Sequence, residues 1–436
     1  MILSGWGGVP RANCSVMQAG DQEGVRAVLG RTPSLIARGC GRAYGDAALN
    51  PLATLLTRRL DRICAFDPAT GKITCEAGVL LADILRIFLP RGWFPPVTPG
   101  SQSVSIGGMI AADVHGKNHH SAGSFGRYVE AIDLMLPDGS VVTCSRDAHS
   151  ELFIATCGGM GLTGVILTAT FRLMAVETPW IRQSTIRCAN LDEVMAAFEM
   201  SRDWTYSVAW LDALADGASQ GRSVLYRGEH ALQAELPPNL PPPRTKRTLT
   251  VPPFFPGWAL NRFSLGAYNA LHYAKARSGE DFLDYESFFY PLDGLKHWNR
   301  IYGRQGFLQH QCVLPREASA EGLRRLLATV HKAGLGSFLA VLKLFGVAGE
   351  GLLSFPMEGY SLALDFPLRR GTLPMLRELD AIVADHGGRL YLAKDARMSA
   401  GMMTQGYPQL DKFRTLRQSY GLAGQFESLL SQRLAI

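Results

Sequence analysis

Three glycine-rich stretches punctuate the first part of the chain: residues 37–50 (ARGCGRAYGDAALN), 98–126 (TPGSQSVSIGGMIAADVHGKNHHSAGSFG) and 157–166 (CGGMGLTGVI). Glycine permits sharp turns and leaves backbone amides open to an anion, so one such loop fits a plain turn or a phosphate equally well. Three of them in one region fit a long, extended ligand such as a dinucleotide. The loop 37–50 that follows the apolar SLIA segment does not have the G-x-G-x-x-G spacing, so a Rossmann fold is not expected.

Around these loops the pattern is α+β. RICAFDPATGKITCEAG reads as strand, turn and strand, with Asp67-Pro68 and Thr70-Gly71 supplying the turn. LLADILRIFLPRG has helical spacing and stops at Pro90. AIDLMLPDGSVVTCS is a hairpin about Pro137-Asp138-Gly139, and TGVILTATFRLM is a buried strand rich in β-branched residues. The Pro-rich, basic segment 236–256 (LPPNLPPPRTKRTLTVPPFFP) reads as a mobile loop or lid. Beyond it FLQHQCVLP, AEGLRRLLATVHKAG, SFLAVLKLFG, YSLALDFPL, LPMLRELDAIVADHGG and RLYLAKD form a β-α-β-β-α-β unit. Such a sheet hides one face under its helices and offers the other as the roof of a site.

At 436 residues the chain favours two domains. Its formal charge of +6 is dispersed, and Arg244-Thr245-Lys246-Arg247 is too short a basic run for duplex binding, so nucleic acid is not an expected partner. The mild positive bias suits an anionic substrate or membrane surface. The eight cysteines lie far apart, without C-x-x-C, which indicates neither a disulfide framework nor structural zinc. No signal peptide opens the chain, and Arg86 interrupts the best apolar run, so a cytoplasmic protein is expected.

His115 and His119 have the spacing of two helical metal ligands, but Gly116 opposes a helix and no glutamate lies between them, so a metal is not expected. Lys394 lies at the end of the last strand of the unit, where a solvated lysine is the bland alternative. Lys343 and Phe345 alternate onto one sheet face, as do Gln309 and Gln311. Two glutamines, a lysine and a phenylalanine make an odd core and a reasonable substrate wall.

ARGCGRAYGD, GGMIAADVHGKNHHSAGSFG, ELFIATCGGMGLTGVI, VLKLFG and YLAKDAR together resemble the decaprenylphosphoryl-β-D-ribose 2-oxidase family. These are flavoenzymes of the vanillyl-alcohol oxidase superfamily, with a PCMH-type FAD-binding domain. The likeness extends to LDKFRTLRQSYGLAGQF near the C-terminus. It implies a two-domain α+β fold: an FAD-binding domain over 1–176, a substrate domain with an antiparallel sheet over 177–405, and a segment, 406–436, that returns to the FAD domain.

The resemblance also implies roles. FAD would be held by Arg38, Gly39, Cys40, Gly41, Arg42, Ala43, Tyr44, Gly45 and Asp46 of the first loop. Gly100, Ser101, Ser105, Gly107, Gly108, Ala111, Val114, His115, Gly116, Asn118, Ser121 and Ser124 would hold it from the second. Gly164, Ile166 and Tyr391 complete that set. Lys394, His115 and Tyr44 would be catalytic. Lys117 would meet the substrate phosphate, with Gln309, Gln311, Lys343, Phe345 and Ser361 around the sugar. Arg42 stands where many relatives carry a flavin-bonded histidine, so FAD is expected to be non-covalent. Ala363 and Ser361 replace a familiar cysteine and asparagine, which bears on specificity.

The implied reaction is oxidation of a polyprenyl-phosphoryl ribofuranose at C2′, with an NAD(P)H-dependent keto-ribose reductase as partner and the inner membrane face as a peripheral contact. Alternatives are an aldonolactone or sugar-alcohol oxidase of the same superfamily and a non-catalytic flavin-binding scaffold for the reductase.

Overall fold

The apolar SLIA segment becomes the strand Ile36–Arg38, which pairs in parallel with Thr54–Leu56, itself parallel to Val16–Gln18. The helix Gln22–Leu29 makes the crossover, its N-terminus capped by Asp21, whose carboxylate accepts the Gly24 N–H at 2.7 Å. The first glycine-rich loop leaves this small sheet directly. The structure, a computed structural model, describes residues 1–241, 248–253, 255–257 and 260–436. The Arg244 to Arg247 run and Phe254 of the Pro-rich segment lie outside the described residues.

A five-stranded antiparallel sheet follows, ordered Val141–Ser145, Val129–Met135, Val165–Arg172, Lys72–Glu76, Ile63–Asp67. Both hairpins read from sequence are present. The helix Leu81–Phe88 gives way to a 3-10 turn, Leu89–Arg91, that carries Pro90 and ends at Gly92, whose φ of 80° only glycine adopts easily.

The third sheet is antiparallel and eight-stranded: Gly279–Asp284, Trp180–Cys188, Ser223–His230, Tyr206–Leu211, Ala340–Phe345, Gly359–Pro367, Phe307–Pro315, Arg389–Leu390. Read from its centre outward, the two halves have the same chain order. Each is a β-α-β-β-α-β unit, and they meet where Tyr206–Leu211 pairs with Ala340–Phe345. The first unit is hidden in the sequence because the Pro-rich segment interrupts it before its last helix, Arg262–Lys275.

The helices Leu191–Glu199, Arg316–Ala333 and Thr372–Asp385 cover one face of this sheet. Leu376, Leu379 and Val383 are fully buried there, each worth about 1.5–3 kcal/mol. The last strand is shorter than RLYLAKD suggests. Only Arg389–Leu390 pairs, and the chain then turns, Lys394 N–H donating to the Tyr391 carbonyl at 2.9 Å.

The C-terminal helices pack back on the first part of the chain. Leu410–Ser419 lies on Ser150–Thr156, and Leu35 bridges to Phe426. Arg433, on the helix Leu429–Leu434, spans Asp46 and Asp395, each at 2.8 Å. Among the described residues no helix is long and apolar enough to cross a membrane.

Candidate active site

The other face of the eight-stranded sheet looks across a cavity of about 1420 Å³ at the glycine-rich loops. Strand alternation builds this roof. Gln183, Val208, Trp210, Tyr226, Gln309, Gln311, Val341, Lys343 and Ala363 all line the cavity from alternating positions. Register sets their neighbours: Ala363 lies between Gln311 and Val341, Lys343 is opposite Ser361, and Gln309 is opposite Asp365. One end of the roof is aromatic and apolar, the other basic and polar.

At the polar end Lys394 meets the first loop. Its Nζ stands 3.6 Å from the centroid of the Tyr44 ring, and the Tyr44 N–H donates to the Ala393 carbonyl at 2.8 Å. Gly45 is required beside this junction, because a Cβ there would fall 2.0 Å from the Asp395 carbonyl oxygen. Asp365 is fully buried nearby, accepting hydrogen bonds from the Gln309 amide and, at 3.2 Å, from the Tyr302 hydroxyl. Burial pushes the Lys394 ammonium down from its ordinary value, Asp365 opposes that shift, and Lys343 adds to it. Burial likewise pushes the Asp365 carboxyl and the Tyr44 phenol up. Asp365 is absent from the sequence-based candidates, although alternation from Ser361 through Ala363 puts it on the same face.

The second loop supplies His115 and Lys117. The Gln311 amide donates to His115 Nε2 at 3.1 Å, which leaves Nδ1 as the protonated nitrogen, buried without a partner among the described residues. Burial, then Lys343, hold this imidazole well below its ordinary value, so it is neutral. Phe345 packs against it at 4.8 Å and against His119 at 4.5 Å, supporting the ring rather than facing the cavity. Lys117 donates to the Phe288 carbonyl and lies 4.1 Å from that ring's centroid. Burial and the Lys343 charge push Lys117 down to about 7, and burial alone pushes Lys343 to about 8. Arg42 lies 4.1 Å over the Trp6 ring, and Cys40 is a wall residue whose thiol burial pushes up.

The loops fit an extended dinucleotide. Gly39 packs so closely on the second loop that a Cβ would fall 2.1 Å from Ser105 Oγ, whereas one on Gly100 would meet nothing within 4 Å among the described residues. With Gly41, Gly107, Gly108 and Gly116 they form a wall of exposed backbone. The orphaned His115 Nδ1 and Gln309 Oε1 are polar atoms that a bound group can engage. FAD fits these residues.

Of the remaining candidates, Ala43, Ser101, Ser105, Ala111, Val114, Gly164, Ile166 and Tyr391 also line the cavity. Tyr391 is fixed by donating to the Ala112 carbonyl at 2.9 Å, and Ser101 by donating to Asp293 at 2.8 Å. Others stand outside the wall and hold the loops in shape. Arg38 donates to the Ser4 and Ala48 carbonyls, and Asp46 pairs with Arg433. Asn118 donates to the Pro96 carbonyl and Ser121 to the Asn118 carbonyl. Ser124 donates to Asp113, a residue at φ 39° whose carboxylate also takes Ser354 and the Gly126 N–H. Ser361 lies 3.5 Å from the Gln311 amide, behind the wall.

Residues 16–145 match a family model described as an FAD binding domain. The decaprenylphosphoryl-beta-D-ribose oxidase of Mycolicibacterium smegmatis is 37% identical over 448 residues, covering 100% of this chain and 97% of that protein. The D-arabinono-1,4-lactone oxidase of Yarrowia lipolytica is 25% identical over 225 residues, 49% of this chain and 39% of that protein. The L-gulonolactone oxidase of Mus musculus is 29% identical over 136 residues, 31% of this chain and 30% of that protein.

Proposed function

Because the chain belongs to the decaprenylphosphoryl-β-D-ribose oxidase family, we propose that it oxidises the 2′-hydroxyl of a polyprenyl-phosphoryl-β-D-ribofuranose to the 2-keto sugar, using non-covalent FAD. One observation carries this reading. Lys117, Lys343 and Lys394 line the same cavity as Trp210, Tyr226 and Val341, so a charged pocket for a sugar phosphate continues into an apolar arm for its lipid.

When bound, FAD supplies the two-electron acceptor for the hydride that leaves the carbinol carbon. Lys394 takes the hydroxyl proton, a role open to an amine whose pKa burial has brought down. Asp365 then faces the ammonium formed, and Tyr44 positions it from the other side. His115, neutral and held by Gln311, keeps its Nδ1–H available to donate to a bound group. Lys117 and Lys343 receive the phosphate, and the roof excludes water from the reacting carbon.

A keto sugar leaves the site, so a reductase using NAD(P)H is the partner that completes epimerisation. Peripheral contact with a membrane belongs to the same reading, since the substrate is lipid-linked. Anaerobic titration with a short-chain polyprenyl-phosphoryl ribose tests the proposal: the flavin absorbance should bleach, and acid should release the flavin. A flavin that bleaches only with sugar lactones would refute it.

A further inference from the structure

Helix Thr372–Asp385 of the second unit buries Met375, Leu376, Leu379, Ile382 and Val383 against its neighbours. Its topological counterpart, Arg262–Lys275, buries only Leu265 and Asn269. That helix lies toward the cavity instead: the His272 ring packs at a tilt against Trp210 at 4.4 Å and bonds the Tyr226 hydroxyl at 3.2 Å. Its outer side is apolar. Phe263 is 87% exposed and Leu271 53%, and Ala267, Ala270 and Ala274 are exposed beside them. Positions 263, 267, 270, 271 and 274 recur every three or four residues and so form one stripe. The charged residues on the helix, Arg262 and Lys275, are both basic.

The surface continues. Tyr268 packs on Phe338 at 5.7 Å, and Phe338 joins the small core of Val251, Leu260 and Leu295. Beside Val251 stands Leu249, 66% exposed, on a strand paired with Leu295–Lys296, residues that also line the cavity. An outward apolar stripe with basic and no acidic side chains has the composition of a helix that lies in a lipid interface. A protein partner of opposite charge would need cationic contacts at the centre of the stripe, where here there is only Phe, Leu and Ala.

We propose that helix Arg262–Lys275, with Leu249, docks on an anionic bilayer surface, so that a lipid-linked substrate passes from the membrane along His272, Trp210 and Tyr226 into the cavity. This rests on the lipid-linked substrate proposed above. The test is co-sedimentation of the full-length, FAD-loaded protein with vesicles of phosphatidylcholine alone or mixed with phosphatidylglycerol. Wild type should partition onto the anionic vesicles, and the double variant Phe263→Asp/Leu271→Asp should lose about tenfold or more of that partition. Its flavin spectrum and its bleaching by a short-chain, water-dispersed substrate should stay at wild-type levels, because both side chains are exposed and outside the cavity wall. Equal sedimentation of the two proteins, or none by either, would overturn the proposal, and so would equal binding to neutral vesicles. A wild-type dimer that the double variant dissociates would assign the stripe to a second copy of the chain and overturn it too. Failure of the functional reading is read separately, as a wild-type flavin that the short-chain substrate leaves unbleached, and it does not alter the sedimentation arms.

Discussion

Lys394 reaches over the face of Tyr44 with its Nζ 3.6 Å from the ring centroid, while the backbone of Tyr44 is bonded to the residue before the lysine. The first glycine-rich loop and the lysine-bearing turn therefore move as one unit. Lys394→Met should retain FAD and fold normally, yet lose about 10²–10⁴-fold in the rate of flavin reduction by substrate. Anaerobic stopped-flow absorbance measures that rate, and a wild-type value would remove Lys394 from the chemistry.

Asp365 is the buried carboxylate that holds up the pKa of Lys394. Removing its charge leaves the ammonium less stabilised, so the amine loses its proton at lower pH. In Asp365→Asn the acidic limb of the flavin-reduction profile should move to lower pH by about one unit or more. A profile that falls in amplitude without moving would leave Asp365 with a packing role only.

Lys117, pushed down to about 7, and Lys343, to about 8, lose their charge as pH rises through those values. A bound phosphate restores the charge, so binding above neutrality should take up a proton, and affinity should fall from pH 7 to pH 9. Calorimetry at pH 8 in two buffers of different ionisation enthalpy counts the proton. Lys117→Met should abolish most of the uptake, and wild-type binding without proton exchange would contradict the arrangement.

Gly39→Ala would drive a methyl group against Ser105, at a cost of about 1–3 kcal/mol. FAD should dissociate about tenfold or more readily, measured as flavin fluorescence released on ultrafiltration. The pair Gly39→Ala/Ser105→Gly restores the space and should recover the cofactor.

Much of this site is legible in the sequence because two signals are local. Glycine spacing marks the loops, and the alternation of Gln309 with Gln311 and of Lys343 with Phe345 marks one sheet face. Other features depend on register and tertiary contact. Asp365 becomes a partner of Lys394 only once its strand is set opposite Gln309. Lys394 itself stands in a turn, since pairing with Phe307–Pro315 ends at Leu390. Ser121, Ser124 and Asn118 look like ligand contacts, but polar side chains in glycine loops serve the backbone equally well, and here they do. The first β-α-β-β-α-β unit is illegible because the Pro-rich segment separates its third strand, Ser223–His230, from its last helix, Arg262–Lys275.

Arg433 braces the first glycine-rich loop through Asp46, 387 residues earlier in the chain, and the turn behind Lys394 through Asp395. During synthesis the loop thus emerges long before the side chain that neutralises it. A nascent chain halted upstream of that helix carries a complete set of glycine loops with two uncompensated acids behind them. The acid pair behind the loop therefore gains its shared counter-charge only once the helix Leu429–Leu434 has been made and has docked.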